Sequence, residues 1–367
     1  MPFEYLPLPG APVGQLDTPA LVIDMDVAEK NISRLQKWAN RNKMGVRPHS
    51  KTHKTPLFAH KQMAAGAIGI CCAKVGEAEV MVAGGVKEIL IANQIVGATK
   101  IARLVALAND ASITVAVDDA ANVRDLSAAA SAAGREIGVI VEVDTGMHRC
   151  GVDGGAATRK LAKLIASSPG LRFDGVMGYE GHVVAQRDFE ERKTEATAAA
   201  RALVEAAEDL RKAGLPCKIV SAGGTGTYNI TGTVKGITDL QCGSYIFMDG
   251  DYLEVFKDFS PALSVLATVI SRPVKGRAVT DAGIKAISVD RGLPKVIGIE
   301  GAKVAGLSEE HGRLEVSGAA EKLKVGDKVS LLPMHGDTTI NLYSHYACVR
   351  KGKLEAMVEI AGRGRSR

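Results

Sequence analysis

The chain has 367 residues, 46% of them apolar and 4% aromatic, with a formal net charge of +5. That length suits one large domain plus a smaller one, and the composition suits a helix-rich α/β protein filled by Ala, Val, Ile and Leu. The charge is too small and too evenly spread for a nucleic-acid partner, no apolar run approaches bilayer length, and no signal-peptide pattern opens the chain, so a cytoplasmic protein is expected.

The residues up to Leu16 are rich in Pro and Gly, and the segment 1–24 is expected to pack with the C-terminal domain. Thr18–Asp24 reads as a strand and Met25–Asn42 has helical periodicity. Apolar runs then recur at Gly45–Arg47, Ala67–Cys71, Glu88–Ala92, Ser112–Val117, Ile137–Val143, Phe173–Gly178, Lys218–Ser221 and Leu240–Tyr245, mostly separated by helix-favouring segments. The clearest of these helices covers Phe189–Ala213, and one from about Thr55 to Ala65 takes Pro56 in its first turn. A doubly wound sheet shares much of this pattern. The count of eight and the placement of polar residues predict instead a parallel (β/α)8 TIM barrel over 25–255. From Pro261 alternating runs at Ser264–Ile270, Lys295–Glu300, Arg313–Ser317 and Lys328–Leu332 predict a β-rich C-terminal domain over 256–367. The basic tail of Arg363, Arg365 and Arg367 is expected to be solvated and mobile. The six cysteines lack CxxC or small-domain spacing and are expected to be reduced core thiols.

Barrel enzymes place their chemistry at the C-terminal ends of the strands. Lys51 falls after the first strand, in VRPHSKTHKT, where a lysine can carry a Schiff base, with His49, His53 and Lys54 helping to hold it unprotonated. After the fifth strand comes Asp144–Arg149, and after the sixth Tyr179, Glu180, Gly181 and His182. The seventh ends in SAGGTGTY and the eighth in QCGSY. Glycine turns at Gly223–Gly226 and Gly243–Ser244 can aim backbone N–H groups at a phosphate, with a Thr225 or Thr227 hydroxyl as a further donor. In the C-terminal part, His335 and Asp337 stand two apart; on an extended segment they would project to one side, within reach of one divalent ion.

The ordered set RPHSKTHKT, EVDTGMHRCG, SAGGTGTY, LQCGSY, DAGIKAIS, SEEHG and HGDTTINLY resembles the D-threonine aldolase and D-serine dehydratase-like group of fold type III, alanine racemase-like pyridoxal-phosphate enzymes. The resemblance covers nearly the whole chain. It implies pyridoxal 5'-phosphate on the barrel, a divalent metal beside it and a homodimer. Lys51 then matches the lysine that carries the cofactor, and Gly224, Thr225, Gly226, Gly243, Ser244 and Tyr245 match the phosphate cup. Gln241 falls where racemases of this fold hold the pyridine nitrogen with an arginine, and a neutral amide leaves the ring a weaker electron sink than a carboxylate would. Arg149 is expected to meet the substrate carboxylate or the cofactor phenolate, and Tyr179 to pack on the ring, although it could equally be core. His182, with His53 second, is the expected proton acceptor.

His335 and Asp337 match the metal pair. The dehydratase branch usually has a cysteine as second ligand, with zinc; an imidazole plus a carboxylate suits manganese or magnesium better. The expected reaction is therefore retro-aldol cleavage of a D-3-hydroxy-amino acid, D-threonine or similar, to glycine and an aldehyde. The alternatives are 3-hydroxy-D-aspartate aldolase activity, dehydration of D-serine or a 3-hydroxyaspartate, and a non-catalytic cofactor carrier. A basic residue near the metal would favour a β-carboxylate, and Arg47, Lys54 and Arg272 are candidates.

Overall fold

In a computed structural model, residues 7–367 are described. The chain divides into two compact units: the residues up to Ile32 together with Ser244–Arg363, and Ser33–Gly243 together with Gly364–Arg367.

The second unit is built on eight parallel strands, Gly45–Val46, Ile70–Cys72, Glu88–Gln94, Ser112–Val117, Ile137–Glu142, Leu171–Met177, Ile219–Ala222 and Asp239–Leu240. Each from the second onward pairs with the next, the first pairs with the eighth, and a parallel bridge from His49 to Cys71 joins the first to the second. This is the expected (β/α)8 barrel. Strands such as IGVIVE are buried along their whole length, because helices cover the sheet and leave no wet face. Leu90, Ala116, Ile140 and Met177 form one buried cluster within it. The helix Phe189–Lys212 starts where Asp188 accepts the Glu191 N–H, so its N-terminus needed no tertiary information.

The run Leu240–Tyr245 is not one strand. Pairing stops at Leu240, and Ser244–Ile246 is a 3-10 turn, since the Ser244 carbonyl accepts the N–H groups of Phe247 and Met248. The basic tail also departs from expectation. Its arginine side chains are exposed, but its backbone is docked on the barrel unit: the Arg367 carbonyl accepts the Gly76 N–H at 3.0 Å and Arg103 Nη2 at 3.4 Å. The helix Val75–Ala83 has no side-chain cap from Lys74, and the tail carbonyl takes up one of its orphan donors.

The other unit holds a nine-stranded mixed sheet. Its Ala20–Asp24 strand lies between Leu263–Ser271, antiparallel with Leu21 opposite Val265, and His345–Arg350, parallel with Ile23 opposite Cys348. Leu16, Val22, Leu266, Ala347, Val349 and Leu354 are buried together there. All six cysteines are free thiols; five are buried and Cys150 is half-exposed, so it is not a core thiol. Among the described residues no helix is long and apolar enough to cross a membrane.

Candidate active site

Backbone continuing from the first barrel strand stays extended to His49, whose N–H donates to the Cys242 carbonyl at 3.0 Å, and then turns through Ser50–His53. Lys51 is half-buried in this turn, with Nζ 6.0 Å from the centroid of the Tyr179 ring. Arg149 Cζ lies 5.6 Å from the same ring, so Tyr179 gathers two cations from different strand ends. Lys51 donates its N–H to His49 Nδ1 at 3.3 Å. Burial first, and then the charges of Lys51 and Lys54, hold the His49 imidazole well below its ordinary pKa, so it is neutral beside the lysine.

His53 is placed differently from a proton acceptor at the rim. It is fully buried, Thr55 donates its N–H to Nδ1 at 3.3 Å, Gln62 bonds to the ring, and Phe58 packs 6.0 Å away. Burial pushes its pKa down to about 4. These are the marks of a structural histidine. The cations considered for a β-carboxylate are each engaged already: Arg47 with Asp239 at 3.5 Å, buried Lys54 with Glu77 at 3.3 Å, and Arg272 with Glu321 at 2.9 Å.

The loop after the fifth strand is pinned by its own acids. Asp144 Oδ1 accepts the N–H groups of Gly146 and His148, and its Oδ2 meets the His148 ring at 2.9 Å. Burial works against that carboxylate, yet these bonds keep it below its usual range. Asp118 accepts the Gly151 N–H, and Gln94 bridges Asp118 to buried Glu142, which burial pushes upward. His182 is exposed, and its ring lies 3.4 Å from where a Cβ on Gly146 would stand.

In the glycine turn, Gly223 donates its N–H to Glu180 Oε2 at 3.2 Å and Gly224 donates to Thr227 Oγ1 at 3.1 Å. Thr227 in turn donates to Glu180 Oε1 at 2.7 Å, so its hydroxyl is committed to the protein and is not the further donor expected of it. Thr225 is buried. A Cβ on Gly226 would fall 2.0 Å from the Val184 carbonyl oxygen, and one on Gly243 would fall 2.9 Å from Thr52 Oγ1.

Gln241 is oriented by a chain of bonds whose direction chemistry dictates. Asp239 can only accept, so Ser221 donates to its Oδ1 at 2.6 Å; Ser221 must then accept from Gln241 Nε2 at 2.9 Å. The amide oxygen is left to the Cys71 thiol, at 3.3 Å.

The remaining sequence candidates belong to the other unit. Tyr245 is buried against Phe259, with ring centroids 5.6 Å apart. His335 and Asp337 are not on an extended segment: His335 caps the short helix Gly336–Ile340, and Asp337 lies in its first turn. The bend follows from Asp249 accepting the Gly336 N–H and from the Thr339 hydroxyl donating back to the His335 carbonyl. His335 Nδ1 is 2.5 Å from Asp290 Oδ2. Asp337 Oδ1 is buried without a hydrogen-bond partner among the described residues. Burial, with the charge of Asp337 adding, pushes Asp249 up to about 6.

Two family models cover the chain in succession: "Alanine racemase, N-terminal domain" matches residues 23–251, and "Putative serine dehydratase domain" matches residues 262–349. A D-threonine aldolase of Arthrobacter sp is 41% identical over 98% of this chain and 96% of its own. A 3-hydroxy-D-aspartate aldolase of Paracoccus denitrificans (strain Pd 1222) is 39% identical over 99% and 96%. The crystal structure of D-threonine aldolase from Filomicrobium marinum superposes with a TM-score of 0.95, at 39% identity over 98% of this chain and 99% of that one. The chain belongs to the D-threonine aldolase and D-serine dehydratase-like family.

Pyridoxal phosphate, implied by this alanine racemase-like family, fits the barrel mouth on three observations. Lys51 stands just past a strand end over Tyr179, Gln241 keeps one amide N–H beyond the one given to Ser221, and the buried Thr52 hydroxyl beside Gly243 has no partner among the described residues. A divalent cation fits the other unit more sparely. Among the described residues no three His, Cys, Asp or Glu side chains converge as ligands. The buried, unpartnered Asp337 oxygen and an imidazole anchored through its other nitrogen by a carboxylate are what a family metal pair requires.

Sequence reasoning placed Glu180 and Ser221 at the strand ends without giving either a role, and passed over Asp239 and Asp290. Glu180 offered one signal, a carboxylate three residues past the apolar strand LRFDGVM. Asp290 offered none, because its partner lies 45 residues away.

Proposed function

We propose that this protein is a carbon–carbon lyase that cleaves a D-3-hydroxy-amino acid, D-threonine or similar, to glycine and an aldehyde. The observation that carries the reading is Asp337 standing two residues from His335 with a buried carboxylate oxygen that no group among the described residues satisfies. When bound, pyridoxal phosphate would supply the sink for the electron pair left at Cα, and a divalent ion, manganese or magnesium, would make the β-hydroxyl more acidic. Lys51 would hold the cofactor, Gln241 would direct an N–H at the ring nitrogen, and Tyr179 would form one wall. Arg149 would fix the substrate carboxylate by a charge-assisted bond. His182, exposed at the rim, would take the β-hydroxyl proton; buried His53 is set aside for that role. His335 and Asp337 would hold the metal.

Carboxylates already paired with Arg47, Lys54 and Arg272 favour a substrate without a β-carboxylate. We further propose a homodimer, measurable by sedimentation, and a cytoplasmic location, supported by six unpaired thiols. The test is incubation with pyridoxal phosphate and manganese, then with EDTA, on D-threonine, D-serine and both 3-hydroxy-D-aspartate diastereomers. Glycine and an aldehyde or glyoxylate are expected, abolished by EDTA and in Lys51→Ala and Asp337→Ala. Ammonia with pyruvate or oxaloacetate, and no glycine, would replace the aldolase by a dehydratase.

A further inference from the structure

Glu180 lies three residues past the sixth barrel strand with only 2% of its surface exposed, between Tyr179 and the loop that carries His182. Its carboxylate accepts the Gly223 N–H, the Thr227 hydroxyl and, closer still, the Thr231 hydroxyl. A carboxylate can only accept, so both hydroxyls must donate to it, and the Thr227 lone pairs are thereby turned to the Gly224 N–H. Thr227 gives its own N–H to the Gly224 carbonyl at 3.2 Å. Two N–H groups of the glycine turn, that of Gly223 directly and that of Gly224 through the Thr227 hydroxyl, are thus held by one buried acid.

We propose that Glu180 is the positioning residue of the phosphate-binding turn. It holds the Thr225–Gly226 segment in the shape that receives the cofactor's phosphate and ties that turn to the loop bearing Tyr179 and His182. The inference rests on the pyridoxal phosphate reading above. Glutamine at this position has the same size, but one of its two ends donates, facing either the Gly223 N–H or the two hydroxyls. Thr227→Val removes the relay from the other side without touching the carboxylate.

The experiment compares pyridoxal phosphate with pyridoxal, which lacks the phosphate, by absorbance titration of the full chain stripped of cofactor. Wild type, Glu180→Gln and Thr227→Val are each examined, with near-UV circular dichroism as a check on folding. Both variants are expected to bind pyridoxal phosphate about tenfold more weakly or worse, as befits loss of a hydrogen bond to a charged group, with pyridoxal affinity little changed. Equal weakening of both ligands would reduce Glu180 to a general stability role and overturn the proposal, as would unchanged pyridoxal phosphate affinity in Glu180→Gln. A wild-type chain that binds no pyridoxal phosphate would remove the cofactor reading itself, and this inference with it.

Discussion

Lys54 and Glu77 meet at 3.3 Å where neither side chain reaches water, and Glu77 also accepts the Ala73 N–H at 2.7 Å. Removing one member of such a pair leaves the other charge buried and unmatched. Glu77→Ala is therefore expected to cost about 3–5 kcal/mol of stability in urea unfolding, far more than loss of an exposed pair such as Lys193–Glu190. A cost below about 1 kcal/mol would mean that water enters to rescue Lys54. His53 sets a pH dependence of its own. Its folded pKa is depressed from 6.5 to about 4, so the stability it contributes as a neutral ring is complete above about 6.5 and is lost as pH falls towards 4. The whole term is about 3 kcal/mol. In His53→Gln the acid limb of stability against pH should flatten across that window, and an unchanged slope would contradict the assignment. What could be read from sequence at this scale follows from chemical necessity. The position of Lys51 just beyond the first barrel strand was legible, because Pro48 keeps the preceding residues extended and the helix-favouring run resumes only at Pro56. The Ser221–Asp239 relay was not, because its direction emerges only when Gln241 and Asp239 come within one hydroxyl of each other.

Among the elements, those with local signals were legible and those defined by distant partners were not. Ser112–Val117 and the start of the helix at Phe189 lie where pattern and cap placed them. The eighth barrel strand is only Asp239–Leu240, because Gly243 and the Ser244 carbonyl redirect a run whose apolar pattern continues. In the same way, the spacing of His335 and Asp337 suggested an extended chain, and Asp249, 87 positions away from Gly336, bends it into a helix. The tail supplies the prediction at this scale. Deleting Gly364–Arg367 removes the acceptor of the Gly76 N–H, so amide exchange should quicken at Gly76, and stability should fall by about 1 kcal/mol, the usual worth of a cap. Unaltered exchange at Gly76 would show that the helix start does not depend on the tail.

For the molecule as a whole, eight β-runs with polar residues gathered after their C-terminal ends were enough to read a barrel rather than a doubly wound sheet, which buries both faces equally well. His335 and Asp337 were legible only as a spacing, since the acid that meets the His335 ring, Asp290, comes from elsewhere in the chain. The strand Ala20–Asp24 has one further consequence, and it concerns time. Its neighbours are Leu263–Ser271 and His345–Arg350, so Ile23 must wait for Cys348 before it has a partner on that side. During synthesis every barrel strand leaves the ribosome before Leu263–Ser271 can pair one edge of this strand, and its other edge waits longer still, for His345–Arg350. The unpaired edge of Ala20–Asp24 is accordingly most exposed to wrong partners while the barrel strands are being made, before Leu263–Ser271 has emerged.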